Sequence, residues 1–326
     1  MLRHKRAWMV VLVMGLVDAQ AAYSAVSAWK PDRPVRLLLP FAPGGGADAV
    51  ARVLTPKLHE SLGQPWVFDN RGGAGGNIAA DIVAHSNPDG QTVFLGFSTV
   101  LTVNPLLYKL GFDMKKDLIP VCMINAGQYM LVLHPSVKAD SVNDLIALGK
   151  SKTTALSYGS AGIGTPLHLA AELFKTRTGA AMNHIPYKGG GPASIAVLAG
   201  EVQVLFGSLP SVLPHVRTGK LKALAVTSAK RAQVAQEIPT LIESGLPGYE
   251  VVSWYGIFLP GKTPEAIVKT IEDHTAAALT LPDVREGIQK QGLEVAIKRR
   301  REFTDQIRRE TDTWAQVIKA ANIKAE

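Results

Sequence analysis

One cysteine in 326 residues, Cys122, rules out an internal disulfide and leaves no thiol cluster for a metal or redox couple. The eight histidines contain no HExxH run and no pair at metal-ligand spacing. Gly159 to Thr165 lacks the lysine that a phosphate loop needs, because Gly164 runs directly into Thr165, and nucleotide hydrolysis loses its support. Gly96-Phe97-Ser98-Thr99-Val100 lacks the second glycine of a nucleophile elbow. These absences weigh against an enzyme, and no cofactor is expected.

The chain also lacks a long apolar run after residue 28, so nothing there spans a bilayer core of about 30 Å. Before it, a basic start (Arg3, Lys5, Arg6), an apolar stretch from Ala7 to Val17 and a run of small residues have the layout of a secretory signal peptide. Residues 1–28 are read as that peptide, with cleavage after Ala28 preferred to cleavage after Ala21. No cysteine near either position offers a lipid anchor. An exported chain without disulfides points to a bacterial periplasm.

The net charge is +8, and removing Arg3, Lys5, Arg6 and Asp18 with the peptide leaves +6. That balance suits anionic solutes by electrostatic steering. It is dispersed except at Lys298-Arg299-Arg300-Arg301, which is read as the solvated start of a C-terminal helix. Dispersal and export both argue against a nucleic-acid partner.

Short apolar runs alternate with helical spacing, which reads as an α/β fold with largely parallel strands. Strands are expected at 35–40, 66–69, 92–97, 155–158, 183–186, 202–206 and 222–226, and at 249–254 as the chain returns to the first lobe. Helices are expected at 47–62, kinked at Pro56, and at 165–177, 192–199, 211–218, 264–280, 282–291 and 301–321. The last carries Phe303, Ile307, Trp314 and Ile318 on one face, read as core packing. The chain is expected to leave a first lobe near residue 126 and return near 250. Residues 29–126 and 250–326 thus form lobe one, 127–249 form lobe two, and a hinge closes a cleft between them.

Two glycine-rich turns each join a strand to a helix: Phe41 to Asp48 and Tyr158 to Thr165. Such a turn leaves the first helical N–H groups without partners, and with the helix dipole they attract an anion. One turn in each lobe would grip a small acid between them. The plainer reading of Gly44-Gly45-Gly46 is a turn that needs positive φ. Asp48 is expected to hold the first loop by accepting its N–H groups. Ser160 and Thr165 offer hydroxyl donors, while His168 is either a packed, capping histidine or a ligand contact. Phe97-Ser98-Thr99 and Tyr187-Lys188-Gly189-Gly190-Gly191 end strands, where open α/β sheets bind ligands.

Taken in order, WKPDRPVRLLLPFAPGGGAD, NRGGAGGNIAA, YGSAGIGTPLHLAAELF, HIPYKGGGPA, LPSVLPHVRTGKLKALAVTS and WYGIFLPGKTP resemble the tripartite tricarboxylate transporter substrate-binding family, the Bug receptors. The resemblance spans most of the chain after residue 28. It implies a two-lobed periplasmic-binding-protein fold of type II, the Venus flytrap, with the ligand in the cleft. It implies a small-carboxylate receptor that serves transporter membrane subunits, the alternative being a periplasmic sensor partner or an enzyme acting on a small organic acid. Carried over by position, the ligand loops are Pro43, Gly44, Gly45, Gly46 and Ala47, and Ser160, Ala161, Gly162, Gly164 and Thr165. Ser98, Thr99, His168, Tyr187 and Ser208 would line the cleft. Many relatives carry an aspartate where this chain has Gly207, which disfavours an amino-acid ligand. A monomer is the default for a carrier.

Overall fold

The computed structural model describes residues 29–151 and 155–321, so the expected signal peptide lies outside the described residues. In chain order the first part runs β1 (Val35–Leu39), α1 (Gly46–Leu62), β2 (Trp66–Asn70), a 3-10 turn (Ala74–Gly76), α2 (Asn77–Ala84), β3 (Thr92–Phe97), α3 (Ser98–Thr102) and α4 (Asn104–Leu107). The middle runs β4 (Leu118–Leu133), α5 (Val142–Lys150), β5 (Ser157–Ser160), α6 (Pro166–Thr178), β6 (Asn183–Pro186), α7 (Gly190–Leu198), β7 (Val204–Ser208), α8 (Leu209–Arg217) and β8 (Lys222–Val226). It closes with β9 (Val252–Pro260), α9 (Glu265–Thr280), α10 (Pro282–Lys290), β10 (Glu294–Arg299) and α11 (Arg300–Ala321).

Strand β4, 16 residues long, belongs to two sheets. Its first part, Leu118 to Gln128, pairs antiparallel with β9, and β10 flanks it. Tyr129 to Leu133 pair instead with β7 and β8. One sheet therefore runs β2-β1-β3-β9-β4-β10 and the other β8-β4-β7-β5-β6. Buried Thr227 stitches the two crossings. Its hydroxyl donates to the Val251 carbonyl at 2.6 Å and accepts the Tyr129 N–H at 2.9 Å.

The expectation of largely parallel strands is corrected here. Among the described strands, β1 with β2 and β3, and β5 with β6 and β7, run parallel. Every pairing made by β4 or β9, the strands that carry the chain between lobes, is antiparallel. Lys298 and Arg299 also belong to β10 rather than to a helix, which begins at Arg300 with its N–H donating to Glu272 at 2.8 Å. Helix α1 continues through Pro56, which is exposed.

β1 buries Val35, Leu37, Leu38 and Leu39, as a strand covered on both faces must. Beside β9, Phe303 is fully buried, with Trp254 edge-on at 4.8 Å and Phe258 at 5.3 Å between ring centres. Ile307 and Trp314 lie only half-buried along α11. Cys122 is buried and desolvation pushes its thiol up to about 12, so it holds no reactive thiolate at neutral pH.

Candidate functional site

The loop after β1 turns through Gly44, whose φ of +90° suits glycine, to Gly45, which ends the extended chain where α1 begins. Asp48 accepts the Gly44 N–H at 3.4 Å and pairs with Arg52 at 2.9 Å, so the carboxylate braces the loop and its charge is matched. No side chain caps α1.

The loop after β5 is braced differently. Ser160 Oγ accepts the Gly162 N–H at 3.1 Å and lies 2.6 Å from His184 Nε2. Thr165 Oγ1 donates to the Gly162 carbonyl at 2.6 Å, and the Gly164 N–H reaches His168 Nδ1 at 3.4 Å. The hydroxyls expected as ligand donors are thus engaged inside their own loop. His168 is buried and its ring lies 4.5 Å from that of His184. Tyr187 sends its N–H to the Ser160 carbonyl and its hydroxyl to Glu201, 3.4 Å away. Both rings are committed within lobe two.

Burial disfavours the imidazolium of His168 and holds its pKa below the usual 6.5. The stability that this neutral ring contributes is present above pH 6.5 and lost as pH falls through the folded-state pKa. Carboxylates titrate lower, near pH 4. Chemical unfolding between pH 6.5 and 5 should therefore show stability falling with pH, and His168→Gln should flatten that slope. An equal slope in the variant would contradict this role.

Across the cleft the two glycine turns do not face each other. Gly44 and Gly45 lie against Gly191 and Gly190, with a Gly45 Cβ site only 3.6 Å from the Gly191 nitrogen. The Ala42 N–H donates to the Lys188 carbonyl at 3.0 Å and joins the lobes. The second turn meets a different part of lobe one. Tyr108 donates its hydroxyl to the Ile163 carbonyl at 2.9 Å, and Gly75 leaves no room for a side chain beside that same carbonyl.

A circuit of contacts encloses the floor of the cleft. Gly45 faces Gly190, and a Cβ on Gly190 would lie 3.9 Å from Ser208 Oγ. Ser208 is the cross-strand partner of Tyr129, so their side chains share a face. Ser253, a diagonal neighbour of Tyr129 across β4 and β9, has its Oγ 2.6 Å from Ser98 Oγ. Tyr255, on the same face of β9 as Ser253, brings its hydroxyl within 2.6 Å of where a Gly46 Cβ would stand. Helices α1, α7 and α8 begin on this circuit, none with a side-chain cap. Uncapped helix starts and neutral hydroxyls from both lobes thus come together here, a set of groups suited to an anion.

Sequence reasoning missed Tyr129, Ser253 and Tyr255. The signal was present: Ser253 and Tyr255 alternate within an apolar strand, which puts both on one face. Among the described residues no group of side chains is arranged to hold a metal, and no helix is long and apolar enough to cross a membrane.

The family described as "Tripartite tricarboxylate transporter family receptor" matches residues 50–323. Protein BugT of Bordetella pertussis is 37% identical over 319 residues, 97% of this chain and 98% of that protein. A Rhodopseudomonas palustris protein solved with adipate is 35% identical with a TM-score of 0.87, over 90% of this chain and 99% of the other. MatC of Rhodopseudomonas palustris, solved with bound malate, is 31% identical with a TM-score of 0.83, over 88% and 99%. The chain therefore belongs to the tripartite tricarboxylate transporter receptor family, the Bug receptors, whose members are periplasmic solute-binding proteins of the type II fold.

Proposed function

We propose that this receptor captures a small carboxylate between its lobes and delivers it to the membrane subunits of a tripartite tricarboxylate transporter. The supporting observation is the circuit of uncapped helix starts and neutral hydroxyls contributed by both lobes. An anion that touches both lobes binds the closed form better than the open one and shifts the population towards closure. Likeness to proteins solved with adipate and with malate supports a carboxylate cargo.

On this reading Pro43 to Ala47, Ser98, Thr99 and Ser208 line the ligand space with Gly190, Tyr129, Ser253 and Tyr255. Ser160 to Thr165, His168 and Tyr187 shape the adjoining loop. Residues 1–28 direct export and are removed, and the receptor works as a periplasmic monomer. Lobe one comprises 29–126 and 250–326, and lobe two 127–249.

A thermal-shift screen of residues 29–326 against carboxylates tests the reading. At 100 times its dissociation constant a true ligand adds about 2.7 kcal/mol of stability. A shift confined to carboxylates supports the proposal; a folded sample that no carboxylate stabilises opposes it.

A further inference from the structure

Resting on that receptor reading, we propose that Tyr108, outside the ligand circuit, is a latch of the closed form. Its hydroxyl grips lobe two at Ile163 and so sets affinity and residence time for every cargo alike, without touching it.

The latch is built from lobe one outward. Buried Asn104 donates through its side-chain amide to the Gly75 carbonyl at 2.9 Å and to Asn77 Oδ1 at 2.7 Å. Both bonds lie within lobe one and tie the 3-10 turn to α4. The two elements therefore form one saddle that does not need lobe two to hold its shape.

The second glycine turn seats in that saddle. A Cβ on Gly75 would stand 2.6 Å from the Ile163 carbonyl oxygen. One on Gly164 would stand 2.8 Å from Asn104 Oδ1, 3.5 Å from the Tyr108 ring and 3.6 Å from Leu107. Bare backbone on both sides lets the Tyr108 hydroxyl reach the Ile163 carbonyl at 2.9 Å. Asn104 Oδ1, which faces Gly164, accepts no hydrogen bond within the protein, so Tyr108 carries the polar tie here. Burial holds the Tyr108 pKa above its usual 10, and the hydroxyl stays a donor at neutral pH.

In the open form this hydroxyl and carbonyl are hydrated; on closure they exchange water for each other. The net gain of one neutral hydrogen bond then belongs to closure alone. Apparent affinity scales with the population able to close, whatever acid occupies the cleft. Acid enters the open cleft before the bond forms, so its loss appears in dissociation rather than association.

Tyr108→Phe keeps the ring and removes only the hydroxyl. Calorimetry and stopped-flow kinetics with malate and adipate test it, or with the two tightest acids of the carboxylate screen where these do not bind. Both acids should bind about three- to tenfold more weakly, by the same factor, with faster dissociation and unchanged association. The empty variant should melt with the wild type. Equal affinity in the variant would overturn the latch and leave the receptor reading standing. A loss confined to one acid would make Tyr108 a ligand contact, and a lower melting temperature of the empty variant would place its bond in the fold; either overturns the latch. A wild-type protein that binds no acid in the screen would overturn the receptor reading and the latch with it.

Discussion

Gly191→Ala is expected to leave the empty receptor folded and to weaken acid binding by roughly tenfold to a hundredfold. The glycine lies in the first turn of α7 with an ordinary φ, where alanine is a better helix former. Its obstacle lies across the cleft. A Cβ there would strike the Pro43 carbonyl oxygen and stand 3.2 Å from the Gly44 carbonyl carbon, both in lobe one. The neighbour is backbone, so relief requires parting the lobes. Overpacking of this kind costs about 1–3 kcal/mol, charged here to the closed form alone. That translates into the stated loss of affinity. Calorimetry with the acid identified by the screen, beside a melt of the ligand-free variant, separates closure from folding. Wild-type affinity in a folded Gly191→Ala receptor would show that closure does not bring these loops together.

Phe303→Ala should be the most destabilising single truncation considered, at about 3–5 kcal/mol. The ring is fully buried and fills the space left by Gly256, where any Cβ would collide with it. Trp254 and Phe258 pack on it from the same face of β9. Removing it opens a cavity between α11 and the first sheet that rigid β9 cannot close. Ser253 and Tyr255 point to the opposite face, so the fraction that stays folded should bind its acid with nearly wild-type affinity. Denaturant unfolding measures the first effect and titration below the melting range the second. A cost under about 1 kcal/mol would contradict the packing described.

Much of this molecule was legible from residue spacing. Glycine turns between apolar runs and amphipathic stretches marked β1 into α1 and β5 into α6, because backbone geometry and a 3.6-residue period are local properties. β4 was missed. Its 16 residues read neither as an alternating strand nor as a short buried one, since it serves two sheets and carries bulges against β9. The antiparallel pairings followed from that strand and were hidden with it. Similarly, sequence can say that Gly44 to Gly46 and Gly162 to Gly164 make anion-friendly turns, but not which surfaces oppose them. That depends on how lobe two sits on lobe one, and it sets Gly190 and Gly191, not Gly162, against the first loop. The hydroxyls of Ser160 and Thr165 looked free because their partners, His184 and the Gly162 carbonyl, are supplied by the folded loop and the neighbouring strand.

The most direct test of the account is a crystal structure of the receptor with the acid that stabilises it. The account predicts one carboxylate within hydrogen-bond distance of the N–H groups at the start of α1 and of α7, with the rest of the ligand over Tyr129, Ser253 and Tyr255. An acid seated outside that circuit, held only by the Ser160 to Thr165 loop or by surface arginines, would contradict it.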